Sequence, residues 1–153
     1  MLLNKKIIAL LAGMLALIAN TISAADYITD AGAIVKKADW KTMQTITVTM
    51  DEFAYEPDGL KLNAGQPYKI VIKNKGKVKH YFTAPEFFKA IATRKIQSNK
   101  DGEIKAPYFT AIELMVDGQL DLYFVPVKKG SYPVFCTVDG HRDQGMEGML
   151  TIK

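Results

Sequence analysis

The amino-acid sequence predicts an all-β fold, a sandwich or barrel with one short inserted helix, and three observations point there. Apolar and polar residues alternate with period two along several short runs. Those runs are rich in β-branched side chains, and Gly, Pro, Asn and Asp clusters break them at short intervals. At 153 residues the chain has room for one domain and a short appendage.

The first segment stands outside that pattern. Lys5 and Lys6 precede an apolar run from Ile7 to Ala19, and Asn20 to Ala25 ends in small residues. These are the three regions of a secretory signal peptide over residues 1–25, cleaved after Ala24 or Ala25. The apolar run falls short of the roughly 20 residues that a membrane-spanning helix needs. The mature chain is therefore expected to be periplasmic or otherwise exported, with no stable membrane insertion after cleavage. Residues 26–43 read as an N-terminal extension, with a short helix over Ala31 to Lys37 and Trp40 as a lid on the domain edge.

The domain is expected over residues 44–153. Ile46, Val48 and Met50 alternate with Thr45, Thr47 and Thr49 as a half-buried strand. Glu56-Pro57-Asp58-Gly59 is a turn, Leu60 to Leu62 a short strand, and Tyr68 to Lys73 alternates up to a turn at Asn74-Lys75-Gly76. Phe87, Phe88, Ile91 and Lys95, opened by Pro85, predict an amphipathic helix over Pro85 to Gln97. Ser98 to Lys105 reads as an exposed polar loop. Four more strands follow at Ala111 to Val116, Leu120 to Val127, Tyr132 to Thr137 and Met149 to Ile152. Regular short strands with Gly/Pro turns belong to sandwiches and barrels.

The chemistry concentrates in one run, C-T-V-D-G-H-R-D-Q-G-M, in which Cys136, His141 and Met146 recur with four residues between each and the next. Cys136 is the only cysteine, and His80 is the only other histidine. A lone cysteine in an exported protein calls for a special role, and metal ligation supplies one. Two imidazoles, a thiolate and a thioether form a trigonal His₂Cys plane with a weak axial Met, the coordination of a blue copper centre. A structural zinc site would want four Cys or His ligands, and three exist. Thiolate and thioether are soft donors, so the expected cofactor is one copper ion.

On these residues the chain resembles the cupredoxins, the small blue copper proteins that include plastocyanin, azurin and rusticyanin. The resemblance runs from Thr45 to Lys153. It is carried by F-A-Y-E-P-D-G-L-K-L-N-A-G at Phe53 to Gly65, by N-K-G-K-V-K-H before the first ligand, and by G-S-Y-P-V-F-C-T-V-D-G-H-R-D-Q-G-M-E-G, whose C-x₄-H-x₄-M spacing rusticyanin-like members use. The resemblance implies a Greek-key β-sandwich, with His80, Cys136 and His141 as equatorial ligands and Met146 as the axial one. It also implies that His141 brings its edge to the surface as the electron port. Two features depart from the family. Tyr81 stands where many members have an Asn that bonds across to the residue after the Cys, so the support of His80 must differ. Met149 is a rival for the axial position and is otherwise expected to face inward from the last strand.

The implied function is one-electron transfer between redox partners by Cu(II)/Cu(I) cycling. The rival is a periplasmic copper-binding protein for storage, delivery or tolerance. No enzyme is expected, since an oxidase or nitrite reductase needs further histidines and a binuclear thiolate-bridged site needs a second cysteine. The formal net charge of +4, reduced when Lys5 and Lys6 are cleaved away, is too small for a nucleic-acid binder. Lys73, Lys75, Lys77 and Lys79 alternate before His80; they read either as a solvated turn kept soluble by lysine or, sharing one face of an extended strand, as a surface on which Lys77 and Lys79 dock an acidic redox partner near His141. A monomer is expected.

Overall fold

The computed structural model describes residues 26–98 and 101–153; the predicted signal peptide lies outside the described residues. Two sheets form a β-sandwich. The first contains β1 (Gln44–Asp51), β2 (Ala54–Glu56), β4 (Tyr68–Asn74), β6 (Ile91–Ser98), β7 (Gly102–Ile104) and β9 (Gln119–Pro126), in the order β2-β1-β4-β9-β6-β7. The second contains β3 (Gly59–Leu62), β5 (His80–Thr83), β8 (Ala111–Leu114), β10 (Gly130–Phe135) and β11 (Glu147–Ile152), in the order β3-β11-β10-β5-β8. The β1–β4 and β3–β11 pairs are parallel. Both join strands that are not hairpin partners, so the chain must cross between the sheets.

The period-two pattern explains which faces meet. Val48 and Met50 of β1, Leu60 and Leu62 of β3, Ile70 and Ile72 of β4, Leu122 and Phe124 of β9, and Leu150 and Ile152 of β11 are all buried. Burying side chains of this size is worth about 1.5–3 kcal/mol each, and the alternation sends them all into one shared layer. The extension lies against two interior strands of the first sheet, not on the domain edge. Helix α1 (Ala31–Lys37) packs on β6 and β9. Half-buried Trp40 donates from its indole to the Val35 carbonyl (2.8 Å) and stacks under the Arg94 guanidinium (4.4 Å to the ring centroid).

The sequence expectation fails in two neighbouring places. The helix begun at Pro85 is α2 (Pro85–Lys89) and no longer, and Ile91 to Ser98 are strand β6. Phe87 and Phe88 are fully buried and satisfy the helix. Beyond Ala90, β-branched Ile91, Thr93 and Ile96 pair along β9 with a bulge between Thr93 and Lys95. That bulge shifts the strand's alternation and gives it a helix-like spacing on paper. The polar loop predicted to follow also contains a short edge strand, β7, paired back on β6. Helix α2 bridges the two sheets through β6 and β10.

Candidate metal centre

Three adjacent strands of the second sheet, β11, β10 and β5, carry the predicted ligands at their ends. Cys136 follows the last residue of β10, Met146 precedes the first of β11, and His80 opens β5. β10 pairs with both neighbours, through Phe135–Thr83 on one side and Phe135–Glu147 on the other. The connecting loop closes on itself. The Cys136 N–H donates to the Met146 carbonyl (3.1 Å), and the N–H groups of His141 and Met146 donate to the carbonyls of Val138 and His141 (both 3.0 Å). Gly140 (φ 75°) and Gly145 (φ 101°) make the left-handed turns that so short a loop requires.

The donor atoms meet. His80 Nδ1 lies 3.8 Å and His141 Nδ1 3.7 Å from Cys136 Sγ, and one donor atom from each residue falls within 4.8 Å of the others. Bonds of about 2.0 Å to imidazole nitrogen and about 2.3 Å to thiolate sulfur, set at 120°, separate N from S by about 3.7 Å. The pocket is therefore already the size of a trigonal metal site. His80 and Met146 are wholly buried, Cys136 is 1 % and His141 8 % exposed. Burial, helped by the neighbouring His141 ring, holds His80 below the ordinary histidine range, although Glu52 and Asp51 pull it partly back. Neutral imidazole, the form that binds metal, is favoured.

The two methionines separate clearly. Met146 is 0 % and Met149 46 % exposed. In β11 the inward residues are Leu150 and Ile152, so Met149 faces solvent, contrary to the expectation that it points inward. Met115 is likewise exposed at 65 %; it stands just after β8, where its neighbour Leu114 takes the inward place.

Several groups that periodicity could not identify support the ligands. The Tyr81 N–H donates to Cys136 Sγ (3.4 Å), and buried Tyr55 donates from its hydroxyl to the Tyr81 carbonyl (2.6 Å). Burial, then the Cys136 sulfur, push the Tyr55 phenol upward, so it remains a neutral donor. The Tyr81 side chain bonds Glu113 (2.7 Å) rather than the other ligand loop. The link that the family's Asn would make is replaced by a contact between Thr83 Oγ1 and Thr137 Oγ1 (3.5 Å).

The principal support is Asn74, wholly buried. Its Nδ2 donates to the carbonyls of Val78 (2.8 Å) and Leu114 (3.0 Å), and its Oδ1 accepts from the Gly76 N–H (2.9 Å). The Asn-Lys-Gly turn signal marked the place but not the clamp. Phe53 was also missed. It holds a left-handed backbone (φ 63°) and sets its ring edge-on to His141 (centroids 5.2 Å apart).

The lysine row does not form the expected face. Residues 75–79 make a bend, not an extended strand. Lys75 pairs with Asp117 (3.5 Å) and Lys79 with Glu113 (3.2 Å). Asn74 causes this by drawing the Val78 and Leu114 carbonyls together across the turn.

The sequence matches the cupredoxin-like domain family over residues 9–152. This chain belongs to the cupredoxins. No curated protein matches it. Among solved structures, this cupredoxin is similar in fold to auracyanin B (TM-score 0.51, 22 % identity, 72 % of this chain and 88 % of that one). It is similar also to a dithionite-reduced auracyanin from the photosynthetic bacterium Roseiflexus castenholzii (0.50, 18 %, 76 % and 98 %). A third is a multicopper oxidase from Campylobacter jejuni (0.55, 17 %, 76 % of this chain), of which the cupredoxin spans only 31 %. The cofactor of this cupredoxin is one copper ion, and the donor set and its spacing fit it.

Proposed function

We propose that this cupredoxin is an exported blue copper electron carrier in which His80, Cys136, His141 and Met146 would hold the metal. The observation that carries the reading is the convergence of three buried donors at trigonal spacing, 3.7 and 3.8 Å about one sulfur. Copper bound there supplies a one-electron Cu(II)/Cu(I) couple.

The protein's part is to hold still. The three ligand-bearing strands are neighbours in one sheet, the loop from Cys136 to Met146 is tied by backbone bonds, and Asn74 clamps the approach to His80. A frame that does not move between oxidation states leaves little rearrangement to slow the electron. His141, the most exposed of the four, is the electron port, and redox partners dock around it. Of the basic residues near His80, Lys77 has no ion pair among the described residues, so it is the better docking cation, while Lys79 is half neutralised by Glu113.

All cysteine and histidine in the chain is used by this one site, so the reading is of a carrier rather than an enzyme. Residues 1–25 act as the export signal, residues 26–43 as a cover over β6 and β9, and residues 44–153 as the copper domain of a monomer. Copper loading followed by an optical spectrum and a redox titration tests the reading. An intense visible thiolate-to-copper band with reversible cycling is expected; a colourless copper complex would refute it. Rapid exchange of Cu(I) with a chelator would instead favour copper delivery.

A further inference from the structure

His80 presents one ring nitrogen to the ligand cluster and leaves the other without a partner. Nδ1 faces Cys136 Sγ, whereas Nε2 is fully buried and unbonded, alone in this among the buried side-chain N and O atoms of the described residues. An orphaned buried donor costs roughly 1–3 kcal/mol, and metal-bound histidines nearly always give their second N–H to an acceptor. A carboxylate stands close by: Glu52 Oε1, 3.9 Å away.

Glu52 is held there from behind. The backbone N–H of Lys77 donates to the same Oε1, and the Glu52 N–H is fixed by Asp51 (2.8 Å). The two groups see each other only because residue 76 is glycine. A Cβ on Gly76 would overlap His80 Nε2 and sit 2.8 Å from Glu52 Oε1. Sequence separation hides the arrangement, since Glu52 follows β1 whereas His80 opens β5.

We propose that Glu52 is a positioning residue of the copper site, its carboxylate accepting the Nε2–H of His80 and so fixing the imidazole with Nδ1 towards the metal. This rests on the ligand assignment above. Closing the gap takes a shift of about 1 Å to reach hydrogen-bond range, within the reach of a side chain that is 29 % exposed. A carboxylate acceptor makes the imidazole a stronger donor. The more highly charged Cu(II) gains more from this than Cu(I), so Glu52 holds the reduction potential down.

The test compares copper-loaded wild type with Glu52→Gln, which keeps the Lys77 contact but removes the charge, and with Glu52→Ala. Glu113→Gln serves as control, because it removes a carboxylate bonded to Tyr81 that does not face His80. In Glu52→Gln the preference for Cu(II) over Cu(I) should fall about tenfold, a rise of about 59 mV for a one-electron couple, with at least as large a rise in Glu52→Ala. In the reduced, diamagnetic protein, proton NMR should find a slowly exchanging His80 Nε2–H that exchanges faster in Glu52→Ala. Unmoved potentials in both Glu52 variants, or an equal rise in Glu113→Gln, would overturn the proposal. A wild type without the blue band sinks the ligand assignment itself, whereas a blue wild type with unmoved variants sinks only the role of Glu52.

Discussion

Replacing Asn74 by Ala should unfold the copper loop's support before it touches any ligand. Asn74 is wholly buried and makes three hydrogen bonds, of 2.8, 3.0 and 2.9 Å, to Val78, Leu114 and Gly76. Each bond to an interior group is worth about 1 kcal/mol net, and more when its partner is left dry and unpaired. The Leu114 carbonyl and the Gly76 N–H are in that position, so the loss should be roughly 3 kcal/mol. For a domain of this length that lowers Tm by about 12 °C. Urea unfolding of the metal-free protein measures it directly, with the midpoint falling at unchanged slope. The companion variant Asn74→Asp keeps the acceptor for Gly76 but loses both donors and buries a charge, so it should be at least as damaging. Copper affinity should fall in both, since the bend over residues 75–79 delivers His80. A loss below about 1 kcal/mol in Asn74→Ala, or a well-tolerated Asn74→Asp, would refute the clamp.

Two further outcomes follow from the same geometry. Met146→Leu, nearly volume-conserving and therefore costing less than about 1.5 kcal/mol of stability, should alter the visible spectrum and shift the reduction potential by removing the axial thioether. Met149→Leu should alter neither, and equal effects from the two would contradict the exposure difference that separates them. On the β6–β7 hairpin, Glu103 is pulled down to about 2 by hydrogen bonds from Lys105 and then Lys95 (both 2.7 Å). A carboxylate depressed in the folded state contributes stability above its unfolded value of about 4.5, and that contribution is lost as pH falls towards 2. Glu103→Gln should therefore be less stable than wild type at neutral pH, with the difference vanishing over that acid range in pH-resolved unfolding curves.

How much could be read in advance depended on the range of the interaction. The strand alternation at Thr45 to Met50 and Tyr68 to Lys73 was legible because sheet burial has period two and each strand reports its own faces. The helix at Pro85 was over-extended because a bulge at Thr93–Lys95 breaks that period. The lysines from Lys73 to Lys79 alternate on paper. Their real directions follow from Asn74, whose partners stand up to 40 residues away. Nothing local in Glu52 or Phe53 announces that either touches a histidine ring.

The sequence alone determined which donors this protein owns. One cysteine, two histidines and the fixed C-x₄-H-x₄-M spacing already imply a soft, single-metal site, because ligand chemistry belongs to residue type and a short loop has few ways to close. Tertiary structure decided the rest. It buried Met146 and turned Met149 to solvent, broke the lysine row at a buried clamp, and set Glu52 against the outer nitrogen of His80. Those outcomes depend on which strands lie side by side, and sheet pairing joins residues whose separation along the chain carries no mark of their meeting.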